Sequence, residues 1–341
     1  MKLGKKQALS LALLMSLGLS TAQAAKETLT VYTAFEVDQL KEYQREFNKV
    51  HPEIDLRIVR DSTGVIAAKL LAEKNNPQAD VIWGVAITGL GSLNTEGLLK
   101  PYAPANLAKI DPKFRDQQEP PRWWGLDVTG AVICFNTQEA AKKNLPEPKT
   151  WNDLLNPIYK DQIVMPNPSS SGTGYLNVIG WMSMFGEEQT WEYMDGLHEN
   201  VAQYTHSGSK PCNMAATGEY PIGISFEYRG HSNKKRGAPI NLVFPQEGLG
   251  WDVEAFAIME GTDNLEAAQK LADWASSTEA MKLYAKNFAI TGEPNVAPRL
   301  ENIPDDYEAR LVEIDFDQAA LDRGEILEKW NSRYANKSEA K

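Results

Sequence analysis

The sequence predicts an α/β protein that is built from more than one domain. In the first third, three short β-rich runs at 29–33, 54–59 and 79–83 alternate with two helical patterns. A β-α-β-α-β order of this kind is typical of a mostly parallel sheet with helices on both faces. The chain has 341 residues, and a single hydrophobic core rarely grows beyond about 300 residues. We therefore expect two domains of α/β architecture.

The helical patterns between these runs are defined by the spacing of their apolar residues. Leu40, Tyr43, Phe47 and Val50 recur three or four positions apart after the first strand, which predicts an amphipathic helix. Ser62 follows the second strand and can cap a helix that runs through 66–71. Each strand of the first third is thus followed by a segment that can cover the sheet.

The pattern of the sequence changes after residue 123. The run at 128–135 predicts a strong strand, and 163–165 predicts a strand that leads into a polar loop. A further strand is expected at 222–226, and helices are expected at 265–288 and at about 318–334. The second part of the chain therefore also mixes strands and helices, with no internal repeat.

The N-terminus has the features of a secretory signal peptide. Lys2, Lys5 and Lys6 precede an apolar run at 8–20, and a small-x-small cleavage pattern lies at 22–24. The apolar run is too short to span a membrane, and no later stretch reaches the ~18 apolar residues that a span needs. We expect residues 1–24 to be removed and the mature protein to be exported to the periplasm.

The composition restricts the partners of the protein. The net charge is -11 at pH 7, and loss of three lysines with the signal peptide makes the mature chain more acidic still. An acidic protein is a poor partner for nucleic acid or an anionic membrane surface. Cys134 and Cys212 are the only cysteines. In an exported protein they form one disulfide or remain two buried thiols, and the sequence leaves both readings open.

The most informative segment is 166–175, which reads Pro-Asn-Pro-Ser-Ser-Ser-Gly-Thr-Gly-Tyr. Its hydroxyls and glycine amides precede an apolar run that predicts a helix. The segment can therefore present donors and the positive end of a helix dipole to a small anion. It contains no lysine or arginine, which suits reversible capture by neutral donors. The alternative is a polar turn that only caps the helix.

Open α/β sheets bind ligands in crevices outside the carboxyl ends of their strands. Four segments follow such strand ends in the predicted structure, at 32–34, 83–85, 169–173 and 227–228. We expect these four segments to approach one site.

Several motifs together resemble a known family. They read Val-Tyr-Thr-Ala at 31–34, Ala-Asp-Val-Ile-Trp at 79–83, Ser-Ser-Ser-Gly-Thr-Gly at 169–174, Ala-Thr-Gly-Glu-Tyr-Pro-Ile-Gly at 216–223 and Pro-Gln-Glu-Gly at 245–248. With these motifs, nearly the whole mature chain resembles the periplasmic solute-binding proteins of ABC transporters. The closer branch holds ferric-ion binders and proteins assigned to 2-aminoethylphosphonate.

The resemblance implies two α/β lobes of the type II-like arrangement, joined by a hinge of two crossover strands with a ligand cleft between the lobes. Lobe one would comprise 25–127 and 230–341 with the C-terminal helices, and lobe two 128–229. The crossings are expected near 125–129 and 228–233. Closure about the hinge would bury the ligand. A membrane permease with its ATPase would receive it from a monomeric binding protein that needs no cofactor.

Two positions separate the phosphonate branch from the iron branch. Ferric binders of this group place two adjacent tyrosines where this chain has Glu227-Tyr228, and they commonly use a histidine where this chain has Glu36. A ferric ion prefers several hard anionic oxygens in octahedral array. The broken tyrosine pair therefore favours a phosphonate, most of all 2-aminoethylphosphonate, and leaves a ferric-ion-binding protein as the alternative.

The expected site has an oxyanion end, an ammonium end and aromatic walls. For several candidates an ordinary structural role remains open, such as a strand hydroxyl at Thr33, a plain cap at Ser62 or a helix-start acid at Glu36. The donors to the oxyanion are Thr33, Ala34, Ser62, Thr63, Ser169, Ser170, Ser171, Gly172, Thr173, Ser207 and Ser209; the acids for the ammonium are Glu36, Asp127 and Glu227; the walls are Trp83, Trp124 and Tyr228.

The sequence offers little support for an enzyme. The serine-rich loop has no Gly-x-Ser-x-Gly turn, and none of the four histidines has a clear catalytic partner. No Cys/His spacing fits zinc, and no Gly-Lys-Ser/Thr fits a nucleotide-binding loop. An exported hydrolase is kept as a remote alternative, which turnover of a phosphonate or phosphate ester would support.

Overall fold

The computed structural model describes residues 26–340, so the expected signal peptide at 1–24 lies outside the described residues. The first part contains β1 (Glu27–Thr33), α1 (Val37–Val50), β2 (Ile54–Arg60), α2 (Thr63–Ala72), β3 (Val81–Ala86), α3 (Ile87–Thr95), β4 (Leu99–Lys100), β5 (Trp124–Asn136) and α4 (Thr137–Lys143). The middle contains β6 (Ile163–Pro166), α5 (Gly172–Phe185), α6 (Glu187–Asn200), β7 (Val201–Thr205), α7 (Lys210–Thr217), β8 (Ile222–Phe226), α8 (Glu227–Lys235) and β9 (Ile240–Val243). The last part contains β10 (Trp251–Met259), α9 (Leu265–Ala275), α10 (Thr278–Tyr284), α11 (Phe316–Leu321) and α12 (Arg323–Tyr334).

The first sheet is built on the three strands that the sequence predicts at the start of the chain. β1 lies between β2 and β3 and is parallel to both. β10 is antiparallel to β3, and the first part of β5 is antiparallel to β10. The sheet is therefore mixed rather than mostly parallel, because the chain re-enters it through β10 from the opposite direction.

The second sheet is also mixed. β6 is parallel to β7 and β8, while the second part of β5 runs antiparallel to β8 and β9. Each sheet has its own large apolar core, one around Trp83 and Tyr43 and the other around Trp181 and Tyr204. Two cores of this kind correspond to the two lobes that were expected.

Strand β5 joins the two sheets. Its residues up to Gly130 pair with β10, and from Ala131 onward they pair with β8 and β9. One crossing is thus close to the predicted 125–129. The return differs from the predicted 228–233, because residues 227–235 form helix α8 on β5 and β9. The chain returns between β9 and β10, at 244–250.

The C-terminal helices touch both halves, which the expected assignment of 230–341 to lobe one does not describe. Helix α11 packs on α3 of the first half, where Ala320 lies against Gly91. Helix α12 places Trp330 and Tyr334 in the core of the second half. These two side chains are four residues apart on one helical face, which explains why they are buried together.

The two cysteines form a disulfide, which resolves the alternative that the sequence left open. Cys134 on β5 and Cys212 on α7 are joined, with their Cα atoms 5.3 Å apart. The bond fastens α7 to the second sheet. Within residues 26–340, no helix has the length and apolar character that crossing a membrane requires.

Candidate functional site

A cleft of about 440 Å³, including its open mouth, lies between the two halves of the molecule. The N-cap residues of five helices, α1, α2, α3, α5 and α8, line it, and β5 and β10 form its floor. The first half contributes Ala34, Glu36, Arg60, Ser62, Thr63 and Ala86; the second half contributes Ser171, Gly172, Thr173, Leu176, Gly208 and Phe226; the floor carries Thr129, Asp252 and Glu254.

The two halves are in direct contact beside this cleft. The backbone N–H of Gly64 donates to the carbonyl of Ser170 at 2.9 Å. A Cβ atom added to Gly64 would lie 2.2 Å from the carbonyl oxygen of Ser169, closer than such atoms can approach. His206 Nε2 also lies 3.2 Å from a carboxylate oxygen of Asp61. The structure is therefore a closed arrangement in which a glycine permits the contact.

The N-terminus of α2 faces the cleft from the first half. Ser62 is its N-cap residue and Thr63 its first helical residue. Both side chains are buried, yet neither hydroxyl makes a hydrogen bond within residues 26–340. A helix N-terminus with free hydroxyls is suited to an anion, because the amides and the dipole both favour negative charge.

The N-terminus of α5 faces the cleft from the second half, and the structure shows the capping role of the serine-rich loop. Ser171 is the N-cap, and its hydroxyl accepts a hydrogen bond from the N–H of Gly174 at 3.3 Å. Thr173 also lines the cleft, but its hydroxyl has no hydrogen-bond partner in the described part of the chain. Gly208 lies against both, since a Cβ there would be 2.2 Å from the Thr173 oxygen. The loop caps the helix and also leaves a donor for a ligand.

Two other serines of the loop point elsewhere. Ser169 Oγ donates to Asn331 on α12 at 3.1 Å, and Ser170 Oγ donates to the carbonyl of His206 at 2.7 Å. Neither lines the cleft. The structure therefore brings only the second half of the Ser/Gly segment to the site.

Arg60 is a cleft residue that the sequence reasoning missed. Its Nε donates to the carbonyl of Phe35 at 3.0 Å, and its guanidinium forms an ion pair with Glu36 at 3.1 Å. Glu36 also lies 3.3 Å from the guanidinium of Arg229. Glu36 thus lines the cleft as expected, but two arginines already neutralise it. The position of Arg60 at the carboxyl end of β2, two residues before Ser62, is the signal that could have identified it.

The floor of the cleft is rich in carboxyl groups. Burial raises the pKa of Asp252 to about 6, although its carboxylate accepts hydrogen bonds from the Thr88 hydroxyl and the Val253 N–H. Burial likewise raises the pKa of Glu254 to about 8. Asp127 lies directly opposite Glu254 on β5 and is 1% exposed. Burial, and then the charge of Glu254, raise the pKa of Asp127 well above its usual range.

Glu227 and Tyr228 lie near the cleft but do not line it. Glu227 is entirely buried, and one of its oxygens accepts a hydrogen bond from the N–H of Gly130 at 2.8 Å. Burial raises its pKa to about 8. Tyr228 packs on Phe288, and the Arg229 guanidinium lies 5.1 Å from its ring centroid. The structure places both behind the wall of the cleft.

The remaining expected residues have structural partners. Trp83 is fully buried and its indole N–H donates to Tyr284 at 3.1 Å, while Trp124 stacks on Phe256 in the first core. Neither forms a wall of the cleft. Apolar packing therefore decides the position of both rings, and the indoles cannot meet a ligand.

Thr33 is also buried, and its hydroxyl accepts a hydrogen bond from the N–H of Phe35 at 3.1 Å. Ser207 and Ser209 flank Gly208, and their hydroxyl oxygens lie 3.4 Å apart. Gly208 lines the cleft whereas its two neighbours do not. Within residues 26–340, no three His, Cys, Asp or Glu side chains are grouped as a metal site would require.

Comparison with known proteins supports a solute-binding role. Residues 76–318 match the family described as bacterial extracellular solute-binding proteins. A protein of Haemophilus influenzae described only as uncharacterized is 31% identical over 321 residues, which cover 92% of each chain. A protein of Salmonella typhi provisionally named for binding 2-aminoethylphosphonate is 23% identical over 284 residues, which cover 79% of this chain and 80% of the relative.

A solved structure extends the likeness to the fold. The periplasmic binding protein AfuA from Actinobacillus pleuropneumoniae, with exogenous fructose-6-phosphate bound, superposes with a TM-score of 0.85 at 29% identity. The superposition covers 91% of this chain and 99% of that chain. The predicted α/β fold of two lobes is thereby confirmed.

Proposed function

The chain belongs to the family of bacterial extracellular solute-binding proteins, and we propose that it captures a small phosphorylated solute for an ABC importer. It would act in the periplasm as a monomer, and the ligand would pass from the closed cleft to a membrane permease with its ATPase. No cofactor, nucleic acid or catalytic step enters this proposal. The predicted signal peptide and the family support the location.

The proposal rests on hydroxyl donors that have no partner in the described part of the chain and lie at the N-termini of two helices, α2 and α5, on opposite sides of the cleft. The hydroxyls of Ser62, Thr63 and Thr173 are directed to one cleft and are not engaged within residues 26–340. The N-termini of α2 and α5 add their dipoles. A phosphoryl group offers three acceptor oxygens and one to two negative charges. This group fits the donors better than a planar carboxylate does, because three converging hydroxyls match its three oxygens.

Arg60 adds a positive charge at the same end of the cleft. Its guanidinium has five N–H donors, and the contacts to Phe35 and Glu36 occupy only some of them. The negative net charge of the chain is thus offset locally by one guanidinium and two helix termini. The oxyanion end expected from the Ser/Gly loop and the start of α2 is retained, with Arg60 as an additional donor.

Two relatives bear names that agree with a phosphoryl ligand. AfuA carries fructose-6-phosphate, and the Salmonella typhi relative is named for 2-aminoethylphosphonate. Both molecules have a tetrahedral phosphoryl end and differ at the other end. A phosphate ester is the first candidate for this chain, and 2-aminoethylphosphonate is the second, since the carboxyl groups of the floor are able to accept hydrogen bonds from an ammonium.

Calorimetric titration with four probes tests the proposal. We expect fructose 6-phosphate or 2-aminoethylphosphonate to bind with one ligand per chain, and inorganic phosphate to bind more weakly because it lacks contacts with the floor. Fructose is the matched control, since it lacks only the phosphoryl group. Equal affinity for fructose and fructose 6-phosphate, or no binding of either phosphorylated probe, would contradict the proposal.

A further inference from the structure

Four polar side chains form a square on the floor of the cleft. Asp127 and Thr129 lie on β5, and the register pairs them with Glu254 and Asp252 of β10. Residues two apart on a strand share a face, and directly opposed residues of an antiparallel pair lie on the same side of the sheet. All four side chains therefore lie on one face, and three of them line the cleft.

Thr129 supplies an observation independent of the acids. It is 5% exposed, lines the cleft, and its hydroxyl has no hydrogen-bond partner in the described part of the chain. A buried hydroxyl without a partner is destabilising, so its donor and acceptor capacity is best explained by a ligand. The square thus contains an unused hydroxyl beside the acid pair.

The acid pair of Asp127 and Glu254 also lacks donors. Both oxygens of Asp127 and one of Glu254 are buried without a hydrogen-bond partner within residues 26–340. Two carboxylates side by side in a dry site repel each other, and such pairs hold one proton between them. The shared proton turns the pair into one O–H donor and several acceptors.

The groups around Asp127 and Glu254 do not supply enough positive charge to keep both carboxyl groups ionised. Asp127 faces two tyrosine hydroxyls, of Tyr43 on α1 and Tyr284 on α10. Glu254 faces Arg60, whose charge is offset by its ion pair with Glu36. The other facing groups are carboxyls. The titratable groups that act electrostatically with the pair include Tyr43, Tyr284, Glu227, Glu36, Arg60 and Asp252.

We propose that the square of Asp127, Thr129, Asp252 and Glu254 recognises a neutral, hydroxyl-bearing end of the solute, with Glu254 as the specificity-determining residue and Asp127 as the positioning residue that shares its proton. This inference rests on the proposed function and names the substrate class: a polyhydroxylated phosphate ester such as a sugar phosphate. A hydroxyl both donates and accepts, and the square offers both. An ammonium only donates, so it can pair with the ionised carboxylate but leaves the O–H of the pair without an acceptor.

The first test needs no ligand. Infrared absorption of the protein at neutral pH should show a protonated carboxyl component that is lost in Asp127→Asn, while the contribution of the protonated Glu227 is the same in both proteins. Glu260→Gln is the matched control, because Glu260 lies one residue beyond β10 in an exposed ion pair with Lys100. A band absent from the unsubstituted protein, or unchanged in Asp127→Asn, would overturn the shared proton.

The second test compares two ligands that share a phosphoryl group and differ at the opposite end. We expect fructose 6-phosphate to bind at least ~10-fold more tightly than 2-aminoethylphosphonate, as one lost charge-assisted hydrogen bond would give. Glu254→Ala should lose ~10-fold or more in affinity for fructose 6-phosphate, and Glu254→Gln should recover most of that loss, because an amide also donates and accepts.

The outcomes separate this inference from the proposed function. Tighter binding of 2-aminoethylphosphonate, or an equal loss in Glu254→Gln and Glu254→Ala, would show that the floor needs a charge and would overturn the inference while the phosphoryl site stands. If neither phosphorylated probe binds, the proposed function fails, and the infrared band still decides whether the pair shares a proton.

Discussion

The hydroxyl of Thr173 offers the sharpest test of the oxyanion site. Thr173 is 9% exposed and lies at the second position of α5, on the cleft. Thr173→Val keeps the shape of the side chain and removes only the donor. A hydrogen bond to a charged group contributes about 1.5–3 kcal/mol, so the dissociation constant for the phosphorylated solute should rise about 10- to 150-fold.

The same substitution should leave stability nearly unchanged. The Thr173 hydroxyl has no hydrogen-bond partner in the described part of the chain, so we expect the free energy of unfolding to change by less than ~1 kcal/mol. Ser171→Ala provides the contrast, because the Ser171 hydroxyl caps Gly174. Loss of that cap should cost ~0.5–2 kcal/mol of stability as well as affinity.

The assay is calorimetric titration with fructose 6-phosphate and 2-aminoethylphosphonate, paired with urea unfolding of each variant. Thr217→Val is the matched control, since its hydroxyl donates to the Asn213 carbonyl on the exposed face of α7 and lies outside the cleft. Unchanged affinity in Thr173→Val, or an equal loss in Thr217→Val, would refute the assignment of Thr173 as a ligand donor.

Three further predictions follow from the closed arrangement, the disulfide and a buried acid. Gly64→Ala should hold the lobes apart, because its Cβ would meet the Ser169 carbonyl; X-ray scattering should show a more open molecule with ligand, unlike in Gly324→Ala, whose Cβ meets nothing. Replacing Cys134 and Cys212 by Ser should lower the free energy of unfolding by ~2–5 kcal/mol, and an unchanged urea midpoint would count against a stabilising bond. Glu227→Gln should flatten the pH dependence of stability. The pKa of Glu227 is raised from 4.5 to about 8, so its contribution is full below pH 4.5 and is lost as the pH rises through 8; unfolding curves with the same pH slope in both proteins would contradict this.

Local sequence patterns predicted most of the first half of the fold. The spacing of Leu40, Tyr43 and Phe47 identified α1, and Ser62 marked the start of α2, because helices depend on short-range periodicity and caps. The return of the chain to the first sheet was placed too early. Residues 227–235 form a helix with little amphipathic signal, so nothing local indicated that the strand β9 would follow in the second sheet.

Part of the candidate site could also be predicted, because some of its residues are marked by local sequence signals. Ser62, Ser171 and Thr173 lie at helix N-termini, which a sequence can show. Asp252 and Glu254 reach the cleft only because β10 pairs with β5. That pairing joins residues more than a hundred positions apart, and no spacing within either strand reveals it.

The two tryptophans that were expected to form walls of the cleft lie in the first core instead. Trp83 ends a predicted strand and Trp124 begins β5, but their burial in the first core is decided by contacts with Tyr284 and Phe256. Sequence position alone does not distinguish a ring that faces a cleft from one that faces a core. Arg60, which was missed, lies two residues before the predicted Ser62 and lay within reach of the same reasoning.

A crystal structure of the complex with fructose 6-phosphate, or with 2-aminoethylphosphonate if that probe binds more tightly, tests the central claim most directly. We expect the phosphorus atom to lie between the N-termini of α2 and α5, with the phosphoryl oxygens within hydrogen-bonding distance of the Ser62, Thr63 and Thr173 hydroxyls. A phosphoryl group bound elsewhere on the protein, or turned toward the carboxyl groups of Asp252 and Glu254, would contradict it.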